Sequence, residues 1–255
     1  MSTKESQRLK RLFYTQQGLT CQGKVRSDPN APRIRKTRSL VYGVGILDVS
    51  VSCRHPSVVD YWRRWTSMLG RCYSKKTTKH HQSYIGCSVA PEWFSLTAFI
   101  HWVDTQPEEN WRDLELDKDI TVPGNKVYGP ATCAFVTHKI NSFFLPGIKK
   151  TSNLPVGVSH CGNRYEPSIP DKHGVKRSAL RRSTDTPEES QIIFLQFRCG
   201  EALKLISTTK VPGVIARLQN EYNTLNNLRN TVIAAMPRVN IEECLDIINT
   251  LNENI

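Results

Sequence analysis

The sequence predicts an α+β protein in which short extended segments alternate with amphipathic helices. Three observations lead to this prediction. Two runs within residues 58–103 repeat apolar residues at steps of three and four, which is typical of helices packed on a core. Short extended segments bounded by glycine and proline turns occur within residues 114–169. A helix start signal and a near-heptad apolar run then occupy the C-terminal third.

Positive charge is concentrated in two parts of the chain. The 255 residues carry a net charge of +12. Residues 1–40 hold ten Lys and Arg against two acidic residues and are predicted to be a basic flexible arm. Residues 149–213 hold eleven against six. Positive charge placed in this way favours a polyanionic partner, because neutralising phosphates releases counterions.

Residues 41–148 are predicted to form the first compact unit. The alternation Y-G-V-G-I-L-D-V-S-V predicts a strand, and V-V-D-Y-W-R-R-W-T-S-M-L-G-R-C-Y predicts an amphipathic helix. The run P-E-W-F-S-L-T-A-F-I-H-W-V predicts a second helix with Pro91 in its first turn. Two short extended pieces follow, separated by the turn P-G-N-K. A further helix is predicted to begin with Pro130 in its first turn.

Residues 149–212 are predicted to form a second unit of three strands and one helix. The stretch N-L-P-V-G-V-S-H-C-G-N-R-Y-E-P-S-I reads as strand, turn and strand, and H-G-V-K-R-S-A-L-R-R-S-T as a third strand. The following helix is predicted to be capped by Asp185, with Pro187 in its first turn. Residues 213–255 predict a helical hairpin, which either packs on its own chain or mediates a homodimer.

Two carboxylates in residues 116–125 are the first candidate for chemistry. Asp117 and Asp119 flank Lys118, and Asn125 follows in a Gly-Asn turn. Carboxylate and amide oxygens are the ligands that a hard divalent cation such as magnesium prefers. The other interpretation that these residues leave open is that the two aspartates merely flank a turn.

The eight cysteines show no CxxC pair and no usual zinc spacing, so no structural zinc is predicted. A chain without an apolar signal segment and without about 18 consecutive apolar residues is expected to be cytoplasmic, away from membranes, with reduced thiols.

The segments L-D-K-D-I, P-G-N-K and Y-G-P-A-T-C-A-F-V resemble the core of HNH nucleases. Together with Y-W-R-R-W-T-S-M-L-G-R-C-Y, Y-I-G-C-S-V-A-P-E-W and F-I-H-W, they look like the HNH-like homing endonucleases of short-tailed bacteriophages, over about residues 42–145. The resemblance implies a degenerate ββα-metal core that uses one magnesium or manganese ion and an activated water.

The same resemblance implies roles for individual residues. Asp117 matches the metal carboxylate and Asn125 the asparagine that braces the turn. Lys118 stands where the family has its general-base histidine, and a lysine with a reference pKa near 10.4 is a poor base. Thr132 or Cys133 stands at the final metal ligand. Asp119 is a candidate second ligand or base, and His138 is a further candidate base.

The second unit resembles the Apetala-type domain of plant ethylene-response factors, which also serves as the DNA-binding part of phage and bacterial homing endonucleases. The resemblance covers about 55 residues and implies a three-stranded sheet that enters the major groove. The positions that match its DNA-contacting side chains are Arg164, Lys172, Lys176, Arg177, Arg181 and Arg182.

These expectations combine into a phage-type endonuclease that hydrolyses phosphodiester bonds in double-stranded DNA, in the host cytoplasm if it is phage-encoded. Two alternatives stay open at this point. One is a catalytically inactive DNA-binding protein that acts as a regulator or as an inhibitor of host nucleic-acid enzymes. The other is an assembly protein that uses the C-terminal helices.

Overall fold

The computed structural model of the protein describes residues 40–74, 79, 81–144, 153–169 and 183–236. These residues form a mixed structure of helices and small sheets, as predicted for an α+β protein. The chain divides into two compact units, residues 1–141 and 142–255. Almost all of the predicted arm, most of the third strand of the second unit and the second helix of the C-terminal hairpin lie outside the described residues.

The two predicted helices of the first unit are present. Helix α1, Val59–Tyr73, buries Trp65, Met68 and Leu69, in agreement with the apolar steps of three and four. Helix α2, Leu96–Asp104, begins later than predicted, because the Ser95 hydroxyl accepts the backbone N–H of Ala98 and caps it. The preceding residues, Pro91–Phe94, form a separate 3₁₀ turn.

The strand predicted for Y-G-V-G-I-L-D-V-S-V is wrong. Tyr42 and Gly43 have positive φ values, of 51° and 76°, so the chain turns back there and Gly45 donates its N–H to the carbonyl of Val41. Ile46 makes a single parallel bridge with Ser95. Glycines that permit a tight turn therefore outweigh the alternating pattern.

Four short strands of the first unit form two separate pairs. Strand β1, Ser88–Val89, pairs in parallel with β3, Val127–Tyr128. Strand β2, Glu115–Asp117, pairs antiparallel with β4, Ala134–Val136. The two extended pieces that flank the P-G-N-K turn are therefore β2 and β3, and each pairs with another strand instead of with its neighbour.

The helix predicted to begin at Pro130 is also wrong. Ala134, Phe135 and Val136 are all buried and lie opposite Asp117, Leu116 and Glu115 in the pairing of β4 with β2. The helix of this region begins eight residues after Pro130, as α3, His138–Phe143. Tertiary pairing with β2 thus outweighs the local start signal of proline.

The core of the first unit is rich in aromatic residues. Trp65 is fully buried at the centre of α1, and its indole N–H donates to the carbonyl of Trp93 at 2.7 Å. Trp93 contacts Phe99 edge to face, with 5.2 Å between ring centroids. The other buried members of this core are Val44, Val58, Met68, Leu69, Val89, Phe94, Leu96, Val103, Trp111, Leu114, Leu116, Tyr128, Cys133 and Phe135.

The second unit contains a β-hairpin. Strands β5, Val158–Cys161, and β6, Arg164–Pro167, pair antiparallel across the predicted C-G-N-R turn. Tyr165 and Thr184 exchange backbone hydrogen bonds, so Thr184 occupies a third position beside β6.

Two long helices follow the hairpin, α4 at Pro187–Ile206 and α5 at Pro212–Ala235. The predicted cap at Asp185 is wrong by one residue, because Thr186 and Glu189 form a reciprocal capping box. The apolar faces of the two helices meet, and their contact includes Ile192, Ile193, Phe197, Val232 and Ile233. None of the described helices combines the length and apolar character needed to cross a bilayer.

Replacing Gly157 by alanine should destabilise the second unit more than the same change at Gly162. Both glycines have positive φ, of 76° and 60°. A Cβ at Gly157 would lie only 2.1 Å from Cδ1 of Phe194, whereas a Cβ at Gly162 would meet nothing within 4 Å. We expect Gly162→Ala to cost about 1–2 kcal/mol from backbone strain alone.

Thermal unfolding followed by circular dichroism checks this pair, with Gly162→Ala as the matched control. Gly157→Ala is expected to melt several degrees below Gly162→Ala. Equal melting temperatures would contradict the close packing of Phe194 against the backbone at Gly157.

Candidate functional site

Asp117 ends strand β2 and organises the loop that follows. Its Oδ1 accepts hydrogen bonds from the backbone N–H groups of Asp119 at 2.9 Å and Ile120 at 2.7 Å. Burial raises the pKa of this carboxyl, and the nearby Asp119 charge adds to that effect, although the two hydrogen bonds oppose it. Asp117 therefore has a structural role as an acceptor in addition to any role in chemistry.

Lys118 is buried, with 7% of its surface exposed. Its Nζ lies 3.2 Å from Oδ2 of Asp119 and 6.0 Å from the ring centroid of Tyr128. This ion pair uses the ammonium form of lysine, whereas a general base needs the neutral amine. The geometry at Lys118 and Asp119 is thus that of a salt bridge that neutralises the loop.

Asn125 braces the loop between β2 and β3. Its Nδ2 donates to the carbonyls of Lys118 and Val127, both at 2.7 Å, and its Oδ1 accepts the N–H of Val127 at 3.1 Å. All of the side chain's polar groups are therefore engaged by the backbone. Asn125 thus holds the loop together through backbone contacts on both sides of it.

Thr132 and Cys133 lie in the turn before β4. The Thr132 hydroxyl donates to the carbonyl of Val127 at 2.8 Å, which ties this turn to the end of β3. Burial raises the pKa of the Cys133 thiol to about 12. Burial therefore disfavours the thiolate, which is the form in which cysteine binds metals.

The three residues predicted to bind metal have some of their polar atoms engaged within the protein. Asp117 has one oxygen engaged by two backbone groups, Asp119 has one oxygen in the ion pair, and the thiol of Cys133 is buried. Within the part of the chain that the structure describes, no three His, Cys, Asp or Glu residues are grouped to hold a metal ion. The predicted dependence on magnesium or manganese stays a prediction.

His138 belongs to a cluster that the sequence did not reveal. Its Nδ1 lies 2.9 Å from Oε1 of Glu115, and Nδ2 of Asn141 donates to Oε2 of Glu115 at 2.6 Å. The hydrogen bond from Asn141 lowers the pKa of Glu115, although partial burial opposes it, and the contact with His138 lowers it further. Glu115 is thus an ionised carboxylate that holds an imidazole at the start of α3.

Two sequence signals point to this cluster in retrospect. Glu115 precedes Asp117 by two positions, which places both side chains on the same face of β2. His138 and Asn141 are three residues apart, which places them on one face of α3. What the sequence does not contain is the pairing of β2 with β4 that brings the strand beside the helix.

Two arginines of α1 contribute positive charge near this cluster. Arg64 and Arg71 both interact electrostatically with Glu115. Arg71 donates to the hydroxyl of Tyr128 at 3.4 Å and lies over the ring of Tyr84, 5.5 Å from its centroid. The surroundings of Glu115 are therefore cationic, which suits a negatively charged ligand.

Of the six side chains predicted to contact DNA, the described residues include only Arg164. It begins β6, and its Nε lies 3.2 Å from Oδ1 of Asp185, with both side chains mostly exposed. An exposed pair of this kind is weak and can exchange its partner for a phosphate. The other five, Lys172, Lys176, Arg177, Arg181 and Arg182, lie outside the described residues.

Comparison of the chain with protein-family models, with curated proteins and with solved structures gave no match.

Asp117→Asn should keep the fold, whereas Asp117→Ala should destabilise it. Asparagine retains an oxygen for the N–H groups of Asp119 and Ile120, but alanine leaves both without that acceptor, at about 1–3 kcal/mol. Burial raises the pKa of Asp117, so above pH of about 4 the folded wild type holds this proton more firmly than the unfolded chain does. The free energy of unfolding of the wild type, relative to that of Asp117→Asn, should therefore fall as the pH rises.

Urea unfolding at pH 4 and at pH 7 measures both effects. We expect the free energy of unfolding of Asp117→Asn, relative to the wild type, to be higher at pH 7 than at pH 4. Asp117→Ala should be the least stable of the three proteins. An alanine variant as stable as the wild type would contradict the capping role of this carboxylate.

Proposed function

We propose that the protein is a DNA endonuclease that hydrolyses phosphodiester bonds. The observation that carries this proposal is the cluster of Glu115, His138 and Asn141, which joins the end of a two-stranded sheet to the start of a helix. Along the chain β2 comes first, β3 separates it from its partner β4, and α3 follows β4, which begins later than the helix that the resemblance implies. The cluster also provides an imidazole on the surface, beside cationic side chains.

Within this proposal, His138 accepts the proton of the attacking water. If Nδ1–H of His138 donates to the Glu115 carboxylate, Nε2 is left as the acceptor. The side chain of His138 is 80% exposed, so water and a DNA strand can reach it. Glu115 orients the imidazole, and Asn141 holds Glu115 in place.

DNA is the proposed partner because of the charge of the chain. The net charge is +12, with the excess in residues 1–40 and 149–213. Within the cluster, Arg64 and Arg71 add positive charge beside Glu115. The proposed Apetala-like unit adds Arg164 on its hairpin, where the exposed pair with Asp185 leaves the guanidinium accessible to a phosphate.

The test is nicking of supercoiled plasmid, with magnesium and with a chelator. The wild type should convert supercoiled to open-circular DNA, and Glu115→Gln should do so much more slowly. Glu92→Gln, which changes an exposed carboxylate of the same unit, is the matched control and should nick at the wild-type rate. Loss of nicking with chelator would support the predicted metal requirement. Absence of nicking by the wild type under both conditions would overturn the proposal.

A second candidate function is DNA binding without catalysis, as a regulator or as an inhibitor of host nucleic-acid enzymes. The ion pair of Lys118 with Asp119 and the buried thiol of Cys133 favour it, since these residues stand where an HNH nuclease has its base and final ligand. A wild type that binds duplex DNA with strong salt dependence but never nicks it would support this candidate.

A further inference from the structure

A pocket on the surface of the first unit is lined by three arginines. Its volume is about 270 Å³, and its walls come from α1 and from the 3₁₀ turn Trp111–Asp113. The residues around it are Asp60, Arg63, Arg64, Ser67, Trp111 and Arg112. Three arginines and one aspartate therefore line the pocket, which has an excess of positive charge.

Arg64 is the member whose charge is least compensated. Asp60 is shared by the other two arginines, at 3.6 Å from Arg63 and 3.1 Å from Arg112. Among the described residues, Arg64 has no carboxylate within salt-bridge distance, and its guanidinium donates to the carbonyl of Arg112 at 3.1 Å. Burial lowers the pKa of Arg64 and the neighbouring charge of Arg71 lowers it further, although the charge of Glu115 opposes both effects. An anion in the pocket would relieve this repulsion.

Aromatic rings hold two of the guanidinium groups in place. Arg112 lies over Trp111, 4.7 Å from its ring centroid, and Arg64 lies 5.9 Å from the ring centroid of Phe135. Phe135 is the central residue of β4, so Arg64 connects the pocket to the sheet that carries Glu115. A group fixed before binding loses little entropy when a ligand arrives.

We propose that Arg63, Arg64, Ser67 and Arg112 bind a backbone phosphate of double-stranded DNA. Planar guanidinium groups bind phosphate oxygens in pairs, and a serine hydroxyl supplies a further donor. Arg64, which lines the pocket, interacts electrostatically with Glu115, and a phosphate bound there would fix the register of the DNA strand. This inference rests on the proposed DNA partner and is independent of whether the protein cleaves.

The test is the affinity of the full chain for a fluorescein-labelled duplex, measured by anisotropy over a range of salt concentrations without divalent metal. Arg64→Gln should weaken binding to all duplex sequences alike and should reduce the slope of log K against log salt by about one. Arg63→Gln changes a side chain that is 70% exposed, so it should leave the fold intact and reduce the slope in the same direction.

Arg54→Gln is the matched control, because Arg54 is exposed in the same unit and lies outside the pocket lining. An equal reduction of the salt slope in Arg54→Gln and Arg64→Gln would overturn the proposed phosphate site. An unchanged slope in both Arg63→Gln and Arg64→Gln would overturn it as well. Arg64→Lys keeps the charge but loses the paired donors, and it should bind more weakly than the wild type with nearly the same slope. A wild type that binds DNA through the pocket but does not nick plasmid would overturn only the proposed cleavage.

Discussion

His138→Ala is expected to reduce the rate of plasmid nicking by about 10²–10⁴-fold, the usual contribution of a general base. The reason is that the contact of His138 Nδ1 with Glu115, 2.9 Å away, directs Nε2 toward solvent as the proton acceptor. The rate should be measured with DNA in excess of its dissociation constant, so that weaker binding does not contribute. His101→Ala removes an exposed histidine from α2 and is the matched control.

Three results of this experiment are informative. Loss of activity in His138→Ala with unchanged DNA affinity assigns a chemical role to the imidazole. If Glu115→Gln loses activity to a smaller extent, Glu115 acts by positioning His138. If His138→Ala nicks at the wild-type rate while Asp117→Asn does not, Asp117 rather than His138 contributes to the chemistry.

Trp65→Ala is expected to lower the free energy of unfolding of the first unit by about 3–5 kcal/mol. The indole is fully buried at the middle of α1, so alanine leaves a large cavity. The carbonyl of Trp93, which accepts the indole N–H at 2.7 Å, would also lose its partner. A loss of this size is a large fraction of the stability of a typical domain.

Intrinsic fluorescence makes this measurement specific to one unit, because all five tryptophans lie within residues 62–111. Trp65→Phe fills most of the volume without the N–H, so the difference between it and alanine isolates the cavity. Trp62→Ala, on the same helix but only partly buried, is the control and should cost less. A cost for Trp65→Ala no greater than for Trp62→Ala would contradict its central place in the core.

The helices were predictable where local signals and tertiary packing agree. In α1, the steps of three and four coincide with the buried residues Trp65, Met68 and Leu69. In α4, the run T-P-E-E contains both the cap and the first turn, although Thr186 rather than Asp185 is the cap. Ser, Thr and Asp are nearly equal as caps, so the position of proline and of the third residue decides which one acts.

The strands were harder to predict because their partners are distant in the sequence. Ala134–Val136 looks like the start of a helix locally, and only its pairing with Glu115–Asp117 makes it a strand. In residues 42–51, the alternation was present but the glycines turned the chain instead. Period alone therefore did not distinguish a paired strand from a turn-rich loop.

The residues of the candidate site also differ in how far along the sequence their contacts reach. The hydrogen bonds of Asp117 and Asn125 reach only two to seven residues along the chain, so the loop that they organise lies within one short stretch of sequence. Glu115 was missed because its contacts with His138 and Asn141 span 23 and 26 residues. Those contacts exist only once β2 and β4 have paired.

The pairing of β2 with β4 also sets which changes of chain length the candidate site can tolerate. Glu115 lies opposite Val136, and His138 follows Val136 by two residues. The number of residues between Val136 and His138 therefore fixes where the imidazole lies. One residue inserted between Val136 and His138 would rotate the start of α3 away from the carboxylate, and a slip of one residue in the pairing would turn Glu115 to the opposite face. Insertions in the loop between Ile120 and Gly124 would leave the spacing of Val136 and His138 unchanged. Length variation among natural relatives should therefore occur in that loop and not between β4 and α3.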